Sequence, residues 1–333
     1  MSMPGNKMKQ VLNILITLCL GLVTFFSNCD APRHNPLDPH NPDNRLFHLL
    51  GTIKSISIPY PVITGVEVFW ANQSLSSVTD ATGKFAIEMV DARDGWLYLS
   101  KEGFAADSHF ISWQGTKEVN HEFFLNALPV LDSLVQFSSI LHRYPSLQIE
   151  QIDLRLKISD SDNDIDSVWA SSTYLQEKYH ITFNPTSHWY ERTFSLFDLN
   201  VENIESLVGY PFKITVRDLF STIHTIGAGV LQRVIRQEIL FETPSGNEIT
   251  TPNPTLVWQA YDPGFDISYM VQIFTAEITP LLVWQQSGID QSVTSLEVST
   301  ILPENEYFWV IWAIDVFGNR VRSKPASFTV QQE

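Results

Sequence analysis

Cysteine is nearly missing from this sequence of 333 residues, which contains two, Cys19 and Cys29. A scaffold held by disulfides needs several cysteine pairs, so that class of small cross-linked protein is excluded. Cys19 lies inside an apolar N-terminal segment of signal-peptide type, which we predict to be removed on export. Cys29 is then the single thiol of the mature chain, and a disulfide within that chain is impossible.

Basic residues are also scarce, with 21 Lys and Arg against 37 Asp and Glu and a formal net charge of −16. Loss of residues 1–28 removes Lys7 and Lys9 but no acid, and lowers this charge to −18. Proteins that bind nucleic acids begin by neutralising phosphates with Lys and Arg. The composition therefore excludes a nucleic-acid partner, and the excess of acid favours solubility.

Catalytic motifs are missing as well. The sequence has no Gly-x-Ser-x-Gly, no His-Glu-x-x-His, no Walker loop and no paired-cysteine metal motif. Its nine histidines are scattered, and the shortest spacings are six residues between His34 and His40 and eight residues between His40 and His48 and between His180 and His188. We predict that the protein is not an enzyme. A hydrolase whose site is assembled only in the fold is the alternative.

The N-terminus has the three parts of an export signal. Lys7 and Lys9 precede an apolar run at residues 11–26, which is shorter than a comfortable membrane span. The run ends in Phe26-Ser27-Asn28-Cys29, which resembles the lipobox of bacterial lipoproteins, although Asn28 stands where Gly or Ala is usual. The resemblance implies cleavage after residue 28 and diacylation of Cys29. An uncleaved membrane anchor with an incidental cysteine is the alternative, and both interpretations place the rest of the chain outside the cytoplasm.

Residues 29–45 form a proline-rich linker in which four prolines recur at short intervals. They are Pro32, Pro36, Pro39 and Pro42. Proline fixes φ and removes a backbone donor, so this stretch is predicted to form neither helix nor sheet. We expect an extended tether that separates the first domain from the lipid and has no binding role of its own.

The segment 46–128 contains short apolar runs separated by turn signals. Residues 65–70 alternate between apolar and polar, and residues 79–87 contain a turn around Gly83 that leads into another strand. Leu97 to Phe104 forms a further run. With the leading Gly51, these motifs resemble the carboxypeptidase regulatory-like, transthyretin-like sandwich of many exported bacterial proteins. The resemblance implies a β-sandwich fold and no chemistry.

The remaining chain contains a repeat. Two landmarks recur in the same order: Asp160, Asp164 and Ile165 as Asp262, Asp266 and Ile267, and residues 216–220 as residues 313–317. The ordered pair indicates two related sandwiches of about 100 residues each. Residues 302–313 resemble the late strand of fibronectin type III domains, entered through a Leu302 and Tyr307 corner. We therefore predict an immunoglobulin-like sandwich over 129–237 and a fibronectin type III-like sandwich over 238–333.

Together these observations predict an all-β fold with three tandem β-sandwich domains after a signal peptide and a proline-rich tether. An apolar content of 44% with a charged content of only 17% suits strands that alternate between core and surface.

The best local candidate for chemistry is an aspartate-rich turn. Four carboxylates fall within seven residues, at Asp160, Asp162, Asp164 and Asp166. Calcium takes six to eight oxygen ligands, and alternate aspartates in a tight turn supply several. The turn is not an EF-hand, because it lacks that loop's glycine and its closing glutamate. Alternatively, the turn binds nothing and its aspartates only cap and solvate it. We expect no cofactor apart from calcium.

Aromatic residues form a second candidate. The strand predicted around residue 310 is apolar on both faces, and Phe308 and Trp312 share the face that a sandwich does not need to bury. Such a face suits sugar stacking or protein docking, whereas the alternative is that a neighbouring domain or long side chains cover it. Trp70, Trp96 and Trp113 of the first domain could likewise be buried or form a binding surface. We predict that Trp113, Phe308 and Trp312 form the candidate binding surface.

From these features we expect a non-catalytic, membrane-anchored lipoprotein of the cell envelope, facing the periplasm or the cell surface. Its sandwiches would serve as spacers or bind an envelope protein or glycan, with membrane lipid held through Cys29. A carbohydrate-binding surface lipoprotein that uses exposed tryptophans is the alternative.

Overall fold

The computed structural model describes residues 46–175 and 177–331, and these fold almost entirely into β-strands. The predicted all-β class is confirmed. The chain divides into two compact units, one ending at Leu125 and the other beginning at Asn126. The predicted signal peptide, Cys29 and the proline-rich linker lie outside the described residues. No helix in the described part of the chain has the length and apolar character needed to cross a membrane.

The first unit is a sandwich of two sheets. Its strands are β1 (Phe47–Ser55), β2 (Glu67–Trp70), β3 (Leu75–Val78), β4 (Lys84–Met89), β5 (Gly95–Ser100), β6 (Asp107–Ile111) and β7 (Glu118–Leu125). One sheet has the order β4-β1-β7 and the other β3-β2-β5-β6. Buried and exposed residues alternate along β2, β4 and β5, as the sequence pattern predicts. Leu49 and Phe123 from one sheet and Trp70 and Leu99 from the other share one buried cluster.

Two glycines of the first unit lie where the backbone requires glycine. Gly83 has a φ of +72° in the turn before β4, where Thr82 and Lys84 donate their backbone N–H groups to Asp80 Oδ1. A Cβ on Gly51 would lie 2.5 Å from the Phe85 ring, so β1 needs glycine for this close approach.

The second unit begins with seven long strands and a short helix. These are β8 (Val130–Arg143), β9 (Leu147–Ser159), β10 (Ile165–Ser172), β11 (Lys178–Asn184), β12 (Trp189–Ser195), α1 (Leu196–Leu199), β13 (Pro211–Asp218) and β14 (Ile223–Val230). The strands form one curled sheet in the order β14-β13-β10-β11-β12-β9-β8. β14 returns beside β8, since a Cβ on Gly227 would lie 2.5 Å from Leu131. Two helical turns follow β12, namely α1 and a 3₁₀ turn at Ile204–Leu207.

The later strands of the second unit extend this sheet and add a small one. They are β15 (Phe241–Thr243), β16 (Glu248–Thr250), β17 (Thr255–Trp258), β18 (Ile267–Thr275), β19 (Leu282–Asp290), β20 (Ser295–Glu297), β21 (Asn305–Asp315), β22 (Arg320–Arg322) and β23 (Ala326–Val330). β22 pairs in parallel with β8 and thereby joins the early strands to β21, β18 and β19. Buried residues from both parts form one continuous core cluster.

The corner predicted before β21 is present. The Tyr307 hydroxyl donates to the carbonyl oxygen of Pro303 at 2.9 Å, as in the tyrosine corner of Greek-key sandwiches. Trp309 follows on the same face of β21 and is 1% exposed. Its Nε1 donates to the carbonyl of Pro244 at 2.9 Å, which ties β21 to the segment after β15.

The sequence repeat has a structural counterpart. Ile165 of β10 pairs with Asp218 of β13, and Ile267 of β18 pairs with Asp315 of β21. Both aspartates are buried, and each Oδ1 accepts hydrogen bonds from the backbone N–H groups two and four residues later, at 2.7–2.9 Å. The repeated aspartate therefore closes the turn after its strand in both copies.

Candidate cation site and aromatic surfaces

The aspartate-rich turn connects β9 to β10 and folds three of its carboxylates toward one point. Asp160, Asp162 and Asp164 each offer a carboxylate oxygen, and these oxygens lie within 4.8 Å of one another. The Asp164 N–H donates to Asp160 Oδ2 at 3.1 Å, and Asn163 between them has a φ of +55°. Asp164 is 2% exposed. The acidic residues that alternate in the sequence thus have carboxylates that lie close together in the turn.

Two other segments of the second unit hold this turn. The backbone N–H of Ala127 donates to Asp162 Oδ2 at 2.8 Å. Leu219 N–H, after β13, donates to the Asp164 carbonyl at 2.8 Å. In addition, Asn126 Nδ2 donates to Asp218 Oδ2 at the end of β13, at 2.7 Å. The first two residues of the unit are therefore bound to both the turn and the end of β13.

The carboxyl groups of the turn are costly to ionise where they lie. Burial, with the adjacent Asp160 carboxylate, raises the pKa of Asp162 to about 6. Burial also raises the pKa of Asp160 and of Asp164 above the ordinary value. For Asp218 burial acts in the same direction, but hydrogen bonds from Thr222 and Asn126 outweigh it and lower its pKa.

Four oxygens at the turn are buried without a donor among the described residues. They are Asp160 Oδ1, Asp162 Oδ1, Asp164 Oδ2 and Asn126 Oδ1. Buried acceptors in native structures nearly always have a partner, so these unpaired oxygens require an explanation. None of the ion pairs found among the described residues includes Asp160, Asp162 or Asp164. A set made only of oxygens, three of them anionic, has the chemistry of a site for a hard cation.

The fourth predicted ligand lies outside this group. Asp166 is exposed on β10, where its Oδ2 accepts hydrogen bonds from Arg217 Nε and from the Ser167 hydroxyl, both at 2.8 Å. The prediction of Asp166 as a ligand is therefore wrong, because strand alternation points it away from the turn. Asn126 takes its place among the polar groups at the turn. No sequence motif marks it, since it is distant in the chain and follows β7 directly.

The predicted aromatic surface is largely covered. Trp113 is 3% exposed and packs edge-on against Phe47 in the core of the first unit, so its assignment to a binding surface is wrong. Phe308 is half-buried and stacks on Phe274, with ring centroids 5.3 Å apart. Phe308 shares its face of β21 with Trp312, which is also half-buried.

Trp312 is covered by polar neighbours. Its Nε1 donates to Gln272 Oε1 at 2.9 Å, and the guanidinium groups of Arg320 and Arg322 lie over its ring at 5.6 and 5.9 Å. Long side chains thus cover the second face of β21, which was the alternative interpretation of the sequence pattern.

An exposed aromatic face lies on the first unit. Phe69 of β2, Trp96 and Tyr98 of β5 and Phe110 of β6 are 43–57% exposed and point away from the core. The rings of Trp96 and Phe110 meet with centroids 5.6 Å apart, and those of Phe69 and Tyr98 with centroids 6.5 Å apart. Strand pairing therefore assembles four rings across three adjacent strands. We call these four residues the outer aromatic face.

No family model matches the sequence, and no curated protein matches it. Solved structures that are similar to this chain include the major pilin subunit BcpA of Bacillus cereus, at 9% identity and a TM-score of 0.28, covering 86% of this chain and 96% of the pilin. The fibronectin(III)-like modules of Clostridium thermocellum CbhA match at 12% identity and a TM-score of 0.30, over 61% of this chain and 93% of theirs. The FN1–FN3 domains of chicken CNTN1 match at 8% identity and a TM-score of 0.32, over 80% of this chain and 91% of theirs.

Proposed function

We propose that the chain is a non-catalytic lipoprotein, anchored through Cys29, that holds β-sandwich units outside the cytoplasm as a structural or binding protein. The observation that carries this proposal is the order of its parts. Lys7, Lys9 and an apolar run precede Cys29, a proline-rich stretch follows, and β-strands begin at Phe47 and continue to Val330. β-Sheet units that follow a proline-rich stretch suit presentation at a distance from a membrane.

Fatty-acid labelling tests the anchor. Cells that express the full chain and are fed an alkyne analogue of palmitate are expected to label the protein, because the Cys29 thiol would carry the diacylglyceryl group. A Cys29→Ser variant is expected to lose all of the label and to retain residues 1–28. Cys19→Ser, which lies in the removed segment, provides the matched control and should label as the natural chain does. Label that persists in Cys29→Ser, or disappears in Cys19→Ser, would contradict the proposal.

The outer aromatic face favours a second candidate function, glycan binding by the first unit. Aromatic rings on a sheet surface offer flat apolar areas on which sugar rings stack, and apolar area of this kind marks interaction sites. Trp96 lies on β5, the middle of the three strands of this face, and its ring contacts Phe110.

Retention on immobilised polysaccharides tests this candidate. Trp96→Ala is expected to weaken retention of the full chain about tenfold or more, because an exposed tryptophan at a binding surface is the typical dominant contact. Trp312→Ala is the control, since that ring is already covered by arginines, and it should leave retention unchanged. Equal retention of the Trp96 variant and the natural chain on every polysaccharide that binds would rule this candidate out.

A further inference from the structure

The two copies of the repeat surround their buried aspartates differently. In the second copy, Arg233 Nε lies 3.4 Å from Asp315 Oδ2, and the Asp315 side chain is fully buried. A protein cation thus offsets the charge of that aspartate. The equivalent Asp218 of the first copy instead contacts the Asn126 amide, with His224 Nε2 3.5 Å from its Oδ2.

The turns that precede these aspartates also differ. In the first copy, the turn adds three converging carboxylates beside Asp218, and one of them, Asp164, is almost fully buried. In the second copy, the corresponding Asp262 and Asp266 are exposed. The first copy therefore concentrates negative charge where the second provides an arginine, and burial of unpaired charge is strongly unfavourable.

We propose that Asp160, Asp162, Asp164 and Asn126 bind one calcium ion in the second unit. Oxygens bound to a single calcium at about 2.3–2.6 Å lie at most roughly 4.6–5.2 Å apart. The three carboxylate oxygens, within 4.8 Å of one another, meet this requirement. Backbone carbonyl oxygens and water complete the coordination of six to eight that calcium takes.

Two observations outside the carboxylate spacing point to a ligand. Asp164 is 2% exposed, and its Oδ2 has no donor among the described residues. Asn126 contributes a neutral buried Oδ1 that also lacks a donor there, from a different segment. The orientation of this amide is fixed, because its Nδ2 donates to Asp218 Oδ2 and a flipped amide would place oxygen against carboxylate. The side chain thus presents its oxygen and not its nitrogen.

The ligand set favours calcium over other cations. It contains oxygen only, whereas zinc and the later transition metals prefer imidazole or thiolate ligands. Magnesium demands regular octahedral geometry and keeps several waters, so it is bound through one or two carboxylates in most proteins. Three carboxylates and an amide oxygen from two segments match the higher coordination number and looser geometry of calcium. The ion would link the segment at Asn126 and Ala127 to the turn between β9 and β10.

Calcium titration of the full chain tests the proposal. After treatment with EDTA and dialysis, calorimetry is expected to show one site with a Kd on the order of 10⁻⁵–10⁻³ M. At a hundredfold excess over Kd, calcium should raise the unfolding midpoint of the second unit by about 5–10 °C. Magnesium at the same concentration should give less than a third of this shift. Absence of both heat and shift, or an equal shift with magnesium, would overturn the proposal.

Isosteric variants separate a calcium site from a purely structural turn. Asp162→Asn and Asp164→Asn keep the shape of the side chain but remove one charge, and each should weaken calcium binding about tenfold or more. In EDTA the same variants should unfold at a higher temperature than the natural chain, because they relieve repulsion between the carboxylates. Asp166→Asn and Asp266→Asn are the matched controls and should bind calcium within twofold of the natural chain. Equal weakening by a control, or a lower midpoint in EDTA for both Asp162→Asn and Asp164→Asn, would contradict the site.

Discussion

Trp309→Ala is expected to destabilise the second unit by about 4 kcal/mol, the typical cost of removing a fully buried large aromatic side chain. Trp309 is 1% exposed, and its ring packs near Trp258 and Phe241 with centroids 6.5 and 6.1 Å away. The substitution leaves a cavity among these rings and also deprives the Pro244 carbonyl of its donor. Urea unfolding followed by circular dichroism measures the loss.

Trp312→Ala supplies the control for this prediction, because it removes the same side chain from the other face of β21. Trp312 is half-buried beneath Arg320 and Arg322, so we expect its loss to cost only about 1 kcal/mol. The difference between the two variants measures which face of β21 belongs to the core. Equal losses would show that the strand buries both faces alike, contrary to the structure.

Arg236→Ala is expected to destabilise the second unit by about 2–3 kcal/mol, below the usual cost of breaking a fully buried ion pair because Arg236 is partly exposed. The guanidinium donates to both Glu150 carboxylate oxygens, from Nη2 at 3.0 Å and from Nη1 more closely. Glu150 is 8% exposed and also accepts the N–H of Ile204 at 3.1 Å. The variant would leave this carboxylate buried without its cation.

The stability that Arg236→Ala loses should depend on pH, because Arg236 changes the pKa of Glu150. Burial tends to raise the pKa of Glu150, but the hydrogen bonds from Arg236 and Ile204 outweigh it and lower the pKa below its usual value of 4.5. The pair therefore stabilises the fold fully above pH 4.5, and its contribution is lost as the pH falls through the lowered pKa. Without Arg236, burial raises the pKa of Glu150, and protonation of this carboxylate then relieves the cost of burying it as the pH falls. The difference in free energy of unfolding between the natural chain and Arg236→Ala should therefore become smaller from pH 7 to pH 4. Glu150→Gln carries no charge to bury, so its stability deficit relative to the natural chain should change less with pH than that of Arg236→Ala. A stability deficit of Arg236→Ala that stays constant with pH would contradict this account.

The sequence predicted those parts of the fold that local patterns determine. Alternation along β2, β4 and β5 gave both the strand and its buried face, and the sequence before β21 gave the Tyr307 corner. The repeat was detectable because Asp218 and Asp315 have the same local function, closing a turn through hydrogen bonds two and four residues ahead. Such short-range interactions can be recognised from the sequence, because the residues that make them are close together in the chain.

Features that depend on distant pairing could not be predicted in this way. The parallel pairing of β22 with β8 has no local signal, and it places Asn319 where the side chain is fully buried and its Oδ1 accepts the N–H of Ser138. For the same reason Asn126 was missed at the cation site, and Trp113 was assigned to a surface although it packs into the core.

Mass spectrometry of the N-terminal peptide, from protein extracted from membranes with detergent, tests the central claim most directly. The account predicts a peptide that begins at Cys29, lacks residues 1–28 and carries the mass of a diacylglyceryl group on the cysteine. A peptide that contains residues 19–35 without a break and with an unmodified Cys29 would contradict it and would favour an uncleaved anchor.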